Sequence, residues 1–174
     1  MEFQAIVLAG GKGSRMNGMT KHTPKCLLPI GNKPMIWYPV RFLEKSGFSE
    51  IIIVTLNSFA ERVEEKLNNC GIHAKLTVIG FKDEYLENIN NEDFGTASCL
   101  SLIRDKIKTD CIIVSCDLIT NVNLQEMANL YRINDASFLM LLYDIPEQNG
   151  ELKVPGTGTA YQPGKCHDYK LKSN

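Results

Sequence analysis

Five stretches of this chain are dominated by apolar and mostly β-branched side chains: Gln4–Ala9, Glu50–Thr55, Ala74–Gly80, Asp110–Ser115 and Ala136–Tyr143. Runs this short and this continuous predict strands covered on both faces. Helix-like segments lie between them. Pro34 is placed to open a helix that runs to Lys45 and stops at Gly47. Ser58 is placed to cap a helix through Asn69, ended by Cys70-Gly71. Thr96–Lys106 and Asn123–Asn134 are further helical candidates. Strands alternating with helices at this spacing predict βαβ units and a mostly parallel sheet. From Pro146 onward the chain holds three prolines and four glycines with no apolar period, which predicts loop or disorder. The expected organisation is an α/β domain over 1–145 and a polar tail over 146–174.

At 174 residues the chain is about one domain long and can bury roughly two thirds of its unfolded surface. Its composition, 44% hydrophobic and 22% charged, is that of a globular protein. The net charge of −1 comes with no basic block, which argues against a nucleic-acid surface. No apolar run approaches the roughly 20 residues of a membrane span, and the first residues lack a signal-type segment. The expectation is a soluble, cytosolic protein. Cysteines stand at 26, 70, 99, 111, 116 and 166 without a CxxC pair, and the three histidines do not cluster near them. That pattern predicts buried reduced thiols rather than a zinc site.

Four constellations could carry chemistry. Leu8-Ala9-Gly10-Gly11-Lys12-Gly13-Ser14-Arg15 follows directly on a predicted strand. Three glycines allow a sharp turn that aims several N–H groups at an anion, and Lys12 and Arg15 add phosphate partners. The spacing is neither GxGxxG nor a P-loop, and alone it is equally a tight turn. Pro24 stiffens the approach to Lys25, whose ammonium is then either aimed or simply solvated. Asp117 ends the apolar run Ile112–Cys116. A carboxylate there is either a turn residue or an oxygen ligand for a hard cation such as Mg²⁺. Gly95-Thr96-Ala97 opens a helix and leaves room for a flat base to approach the backbone.

In order and spacing, Gly10-Gly11-x-Gly13-x-Arg15, Pro24-Lys25, Asn32-Lys33-Pro34, Gly95-Thr96-Ala97 and Asp117 together resemble the sugar-phosphate nucleotidyltransferase family over residues 4–143. The resemblance implies a Rossmann-like, three-layer, mostly parallel sheet of the nucleotide-diphospho-sugar transferase type. It also implies that Leu8, Ala9, Gly10, Gly11 and Gly13 hold nucleotide phosphates and that Arg15 and Lys25 neutralise the leaving pyrophosphate. Asp117 would hold Mg²⁺, and Gly95, Thr96 and Ala97 would face the base. Gly18 and Cys26 stand where that family usually carries prolines. The family's domain continues past this length with a second metal carboxylate, so the chain reads as a truncated form of it.

A narrower likeness rests on Met1-Glu2-Phe3-Gln4-Ala5, on Trp37-Tyr38-Pro39 and on Ser115-Cys116-Asp117-Leu118-Ile119-Thr120. These segments resemble the gamma-type subunits of the guanine-nucleotide exchange factor for translation initiation factor 2. That likeness implies a regulatory and scaffold role. The partners would be an epsilon-type subunit, which performs the exchange, the remaining subunits, and initiation factor 2 itself. The alternatives are an active Mg-dependent sugar-1-phosphate nucleotidyltransferase and a nucleotide-sensing module without turnover.

Overall fold

The computed structural model describes residues 2–11, 13, 16, 18–20, 22–82 and 96–142. Its centre is a four-stranded sheet made of β1 (Phe3–Leu8), β4 (Glu50–Leu56), β5 (Lys75–Phe81) and β6 (Asp110–Ser115). The strand order is β5-β4-β1-β6 and every pair is parallel. A short hairpin of β2 (Pro29–Ile30) and β3 (Lys33–Pro34) stands apart from it. The helices are α1 (Trp37–Lys45), α2 (Asn57–Asn68), α3 (Thr96–Leu102) and α4 (Leu124–Ile133), with short 3-10 turns at Lys25–Leu27 and Arg104–Lys106.

The period of two along each strand sorts the core into two halves. Ala5, Val7, Ile51, Ile53 and Val114 face one side, where Val40 and Leu43 of α1 and Val63 and Leu67 of α2 bury against them. Ile6, Val54, Leu56 and Phe81 face the other side, under Cys99 of α3 and Ile103. The result is the three-layer, Rossmann-like arrangement. Each fully buried Ile, Leu or Val contributes about 1.5–3 kcal/mol, so the two central strands supply much of the driving force. Three polar ties fix the edges. The Gln4 carboxamide donates to Lys106 O at 3.0 Å and accepts from the amide of Lys108 at 2.6 Å, setting the entry to β6. Arg132 grips Glu2 with two donors, and Tyr131 meets Phe3 edge-on at 5.8 Å between ring centres. The Glu44 carboxylate accepts from the amides of His73 and Ala74 just before β5.

The expected strands at 4–9, 50–55, 74–80 and 110–115 are present within one residue at each end. Other boundaries differ. Pro34 does not open α1: it pairs with Pro29 across the hairpin, whose turn Gly31 makes with φ +58°, and the helix starts at Trp37. Ser58 does not cap α2, which begins at Asn57 with extended Leu56 before it. The helix expected over 96–106 breaks at Ile103, where the buried side chain plugs the core, and continues as a 3-10 turn. Asn123 does cap α4, accepting from the amide of Gln125 at 3.0 Å. The strand expected over Ala136–Tyr143 is absent from its described residues, 136–142. A strand exists through its ladder, and no described strand pairs with this segment. Tyr143 lies outside the described residues, as does the tail over 146–174.

The chain divides into two compact units, Met1–Ser137 and Phe138–Asn174. The first contains all the elements above. Of the second, residues 138–142 are described; they have no regular structure, and Phe138 and Leu142 are about 70% exposed (69% and 72%). Among the described residues no helix is long and apolar enough to cross a membrane.

Burial opposes the charge on Glu44, but the His73 and Ala74 amides and the Arg41 guanidinium outweigh it and hold the carboxyl below its ordinary value. The unfolded chain therefore takes up that proton at a higher pH than the folded one. Glu44's contribution is complete above about pH 4.5 and is lost as pH falls through the lower folded value. Glu44→Gln is expected to lower stability by about 1–3 kcal/mol at neutral pH. In denaturant melts across pH, the gap between wild type and variant should close on acidification.

Candidate functional site

In this sheet the strand order reverses at β1. The chain moves outward from β1 to β4 and β5, then returns to place β6 on β1's other side. The carboxyl ends of β1 and β6 meet there, and a crevice at that point is the usual ligand position in open α/β sheets. The root of the first loop is tied to both neighbours. Ala9 N donates to Val54 O at 2.7 Å, Cys116 N donates to Leu8 O at 3.0 Å, and the buried Thr55 hydroxyl donates to Ala9 O at 3.3 Å.

Two glycines are needed where they stand. A Cβ on Gly10 would lie 2.6 and 2.8 Å from the Phe81 ring and 3.8 Å from Cys99 Sγ. Gly13 has φ +66°, and a Cβ there would lie 2.9 Å from Thr20 and 3.1 Å from the Cβ of Lys25. The Gly13 carbonyl accepts from Met16 N at 2.9 Å and from the Thr20 hydroxyl at 3.1 Å, which closes the turn. Gly11 is exposed at the surface of the loop. Lys12 and Arg15 lie outside the described residues, as does Gly95.

Lys25 stands immediately behind this turn. Pro24 is buried and extended, and the Leu27 amide donates back to its carbonyl at 2.9 Å, so the Lys25 side chain leaves a fixed stem. The Lys25 ammonium donates to Asp117 Oδ2, and the Ser115 hydroxyl donates to Asp117 Oδ1. The Lys25 and Asp117 side chains remain 25% and 38% exposed, so the pair faces the crevice rather than the core. Burial pushes the Asp117 carboxyl up, but the hydrogen bonds from Lys25 and Ser115 and the lysine's charge outweigh it and hold the group below its ordinary value. Just beneath, burial first and Asp117's charge second push the Cys116 thiol up to about 11. Burial and Cys116 push Cys26 to about 12. Both are protonated at neutral pH and have no thiolate to act as nucleophile.

The structure thus brings together Leu8, Ala9, Gly10, Gly11, Gly13, Lys25 and Asp117. Thr96 and Ala97 are exposed at the start of α3, one turn before Cys99, which packs under Gly10. The residues that sequence reasoning missed are Ser115, Phe81 and Thr20. Ser115 had a signal: two positions before Asp117 at a strand end, it shares that residue's side. Phe81 had none, because its role depends on tertiary contact with Gly10. Phe81 also lines a cleft of about 330 Å³ with Val54, Asn57, Ile79 and Lys82.

Asp117 offers the donor set one would expect of a Mg²⁺ site built mainly from substrate. Mg²⁺ keeps several waters and binds through one or two carboxylates plus phosphates, so one carboxylate beside a glycine turn would fit it. Among the described residues no three His, Cys, Asp or Glu side chains gather into a closed metal cage.

Residues 4–154 match the family described as Nucleotidyl transferase. The chain belongs to that family. Among curated proteins, this nucleotidyl transferase chain is 34% identical over 82% of its length to "Translation initiation factor eIF2B subunit gamma" of Caenorhabditis elegans, covering 34% of that protein. It is 28% identical over 83% of its length to the mannose-1-phosphate guanyltransferase of Schizosaccharomyces pombe, covering 39% of it. Among solved structures it superposes on one described as a glucose-1-phosphate thymidylyltransferase from Bacillus anthracis. The TM-score is 0.62 and the identity 26%, with 75% of this chain and 50% of that one covered. The chain spans about a third of the length of the curated gamma subunits it matches. The likeness to gamma-type subunits expected from Met1–Ala5, Trp37–Pro39 and Ser115–Thr120 is therefore present alongside a likeness to transferases.

The close fit at Gly10 is testable. Gly10→Ala is expected to lower stability by about 1–3 kcal/mol through collision with the Phe81 ring. Phe81→Leu introduced into the same chain should recover part of that loss. A denaturant double-mutant cycle reads the coupling, which is zero if Gly10 matters only for backbone freedom.

Proposed function

We propose that this chain forms the nucleotidyltransferase-type part of a regulatory, scaffold subunit of the exchange factor that reloads translation initiation factor 2 with GTP. In this reading it works in the cytosol, paired with an epsilon-type subunit and joined to the remaining subunits, and takes no direct part in nucleic-acid or membrane binding. The observation that carries the reading is the likeness to gamma subunits across most of this chain. A scaffold uses the fold as a rigid body, and the doubly covered parallel sheet supplies one.

A second reading is supported by one specific observation, the Lys25–Asp117 pair at the mouth of the glycine loop. In it the chain belongs to a sugar-1-phosphate nucleotidyltransferase. Mg²⁺ held by Asp117 would draw charge from the phosphates as the nucleotide is transferred. The residues of the chain would act by position and charge. Ser115 would orient the Asp117 carboxylate, Lys25 would bind the leaving pyrophosphate, and the Gly10–Gly13 backbone would aim its N–H groups at the same anion, with Arg15 contributing from the loop. Such chemistry needs no covalent step on the protein.

Two measurements separate the readings. A tagged pull-down of this chain from eukaryotic cytosol, read by mass spectrometry, is expected to recover the epsilon-type subunit. Recovery of no exchange-factor subunit from folded protein would overturn the scaffold reading. Pyrophosphate release from nucleoside triphosphates and sugar phosphates is expected to be absent. If release is found and Asp117→Asn lowers it by about 100-fold or more, the transferase reading replaces it.

A further inference from the structure

The crevice between β1 and β6 contains a cation and an anion that belong to the protein, and they are joined to each other. Both Asp117 oxygens are engaged, one by the Lys25 ammonium and one by the Ser115 hydroxyl. Lys25 is also the side chain whose stem backs Gly13 in the phosphate-type turn. A lone lysine at this place would attract a polyphosphate, and a lone aspartate would repel it. Paired, their two charges cancel.

We propose that the Lys25–Asp117 pair is a latch, in which Asp117 holds Lys25 away from an incoming polyphosphate until a divalent cation takes the carboxylate and releases the lysine to the anion. The proposal rests on the reading that this crevice can accept a polyphosphate, and it adds how access is controlled. The physical reason is charge. A divalent cation brings two positive charges to a carboxylate that otherwise has one ammonium, and the pair is exposed enough for exchange without opening the core. The freed ammonium then lies beside the glycine turn, which its own stem backs at Gly13. Because linkage is reciprocal, cation and polyphosphate each raise the other's affinity by the same factor. Ser115 has a part in this: its hydroxyl holds one carboxylate oxygen, leaving the other for either Lys25 or the cation.

The latch makes the two side chains behave unlike independent ligands. The test is calorimetry of the 174-residue chain with inorganic pyrophosphate, in chelator at low salt. Wild type is compared with Asp117→Asn, Lys25→Met and the double variant, each shown folded by thermal melt; Lys25→Gln replaces Lys25→Met should the latter unfold. Asp117→Asn is expected to tighten metal-free pyrophosphate binding about three- to tenfold, and the gain should vanish in the Lys25→Met background. In a parallel titration followed by electron paramagnetic resonance, Lys25→Met should tighten Mn²⁺ binding by a similar factor. An equal gain from Asp117→Asn in both backgrounds would mean plain removal of like charge and would overturn the latch, as would no gain at all. Were wild type to bind a Mg–nucleoside triphosphate while the cycle shows no Lys25-dependent gain, the latch alone would fail. Were no variant to bind pyrophosphate and wild type to bind no nucleoside triphosphate with Mg²⁺, the polyphosphate reading would fall with it.

Discussion

Everything in the site follows from where β1 sits. It is buried on both faces and hydrogen-bonded in parallel on both edges, to β4 through Ala5–Leu8 and to β6 through Phe3–Leu8. Parallel pairing makes all the strands end on one side, so the loop after β1 and the loop after β6 start from the same edge of the sheet. Lys25 and Asp117 are 92 positions apart in sequence, yet they meet because the strand carrying Asp117 lies beside the strand that launches the glycine loop. The helices are the condition for this. A central strand with Ile6 and Val7 facing opposite ways is stable only when both faces are covered, and α1, α2 and α3 cover them.

The pattern made the sheet legible and left the punctuation less so. Continuous β-branched runs at 50–55 and 110–115 are too short for a helix and rich in residues that suit a strand. The misplaced boundaries share a cause: local chemistry was read where a tertiary contact decided. Pro34 suits a helix start as well as an edge strand, and the hairpin turn at Gly31 settles it. The helix from Thr96 stops early because Ile103 is drawn into the core and Gln4, a hundred residues earlier, takes the carbonyl of Lys106. The segment at 136–142 shows the opposite limit. Its apolar character is plain in sequence, but a strand is a relation between two segments, and sequence displays one of them.

The residues that narrow the family likeness prove to be structural. Glu2 clamps Arg132, Phe3 receives Tyr131, and Gln4 fixes the turn before β6. Trp37 donates its indole N–H to Cys70 O at the end of α2, under the Lys33 ammonium, and the Tyr38 hydroxyl donates to Ile30 O. These contacts specify how this version of the fold is tied at its edges. None of them touches Lys25 or Asp117. Ser115 and Asp117 belong to both sets: they stand in a distinguishing segment and also shape the site.

The same pair bears differently on the two functional readings. On the transferase reading, substrate and metal would compete with the Lys25–Asp117 contact. A scaffold has no such replacement to make. For it, the partly exposed pair contributes little, about 0–1 kcal/mol, and leaves the sheet unaltered. Joining Lys25 to Asp117 cancels the lysine's charge beside the turn at Gly13. What distinguishes the readings is whether a divalent cation competes for Asp117, a property of the crevice that neither the strand order nor the glycine loop determines.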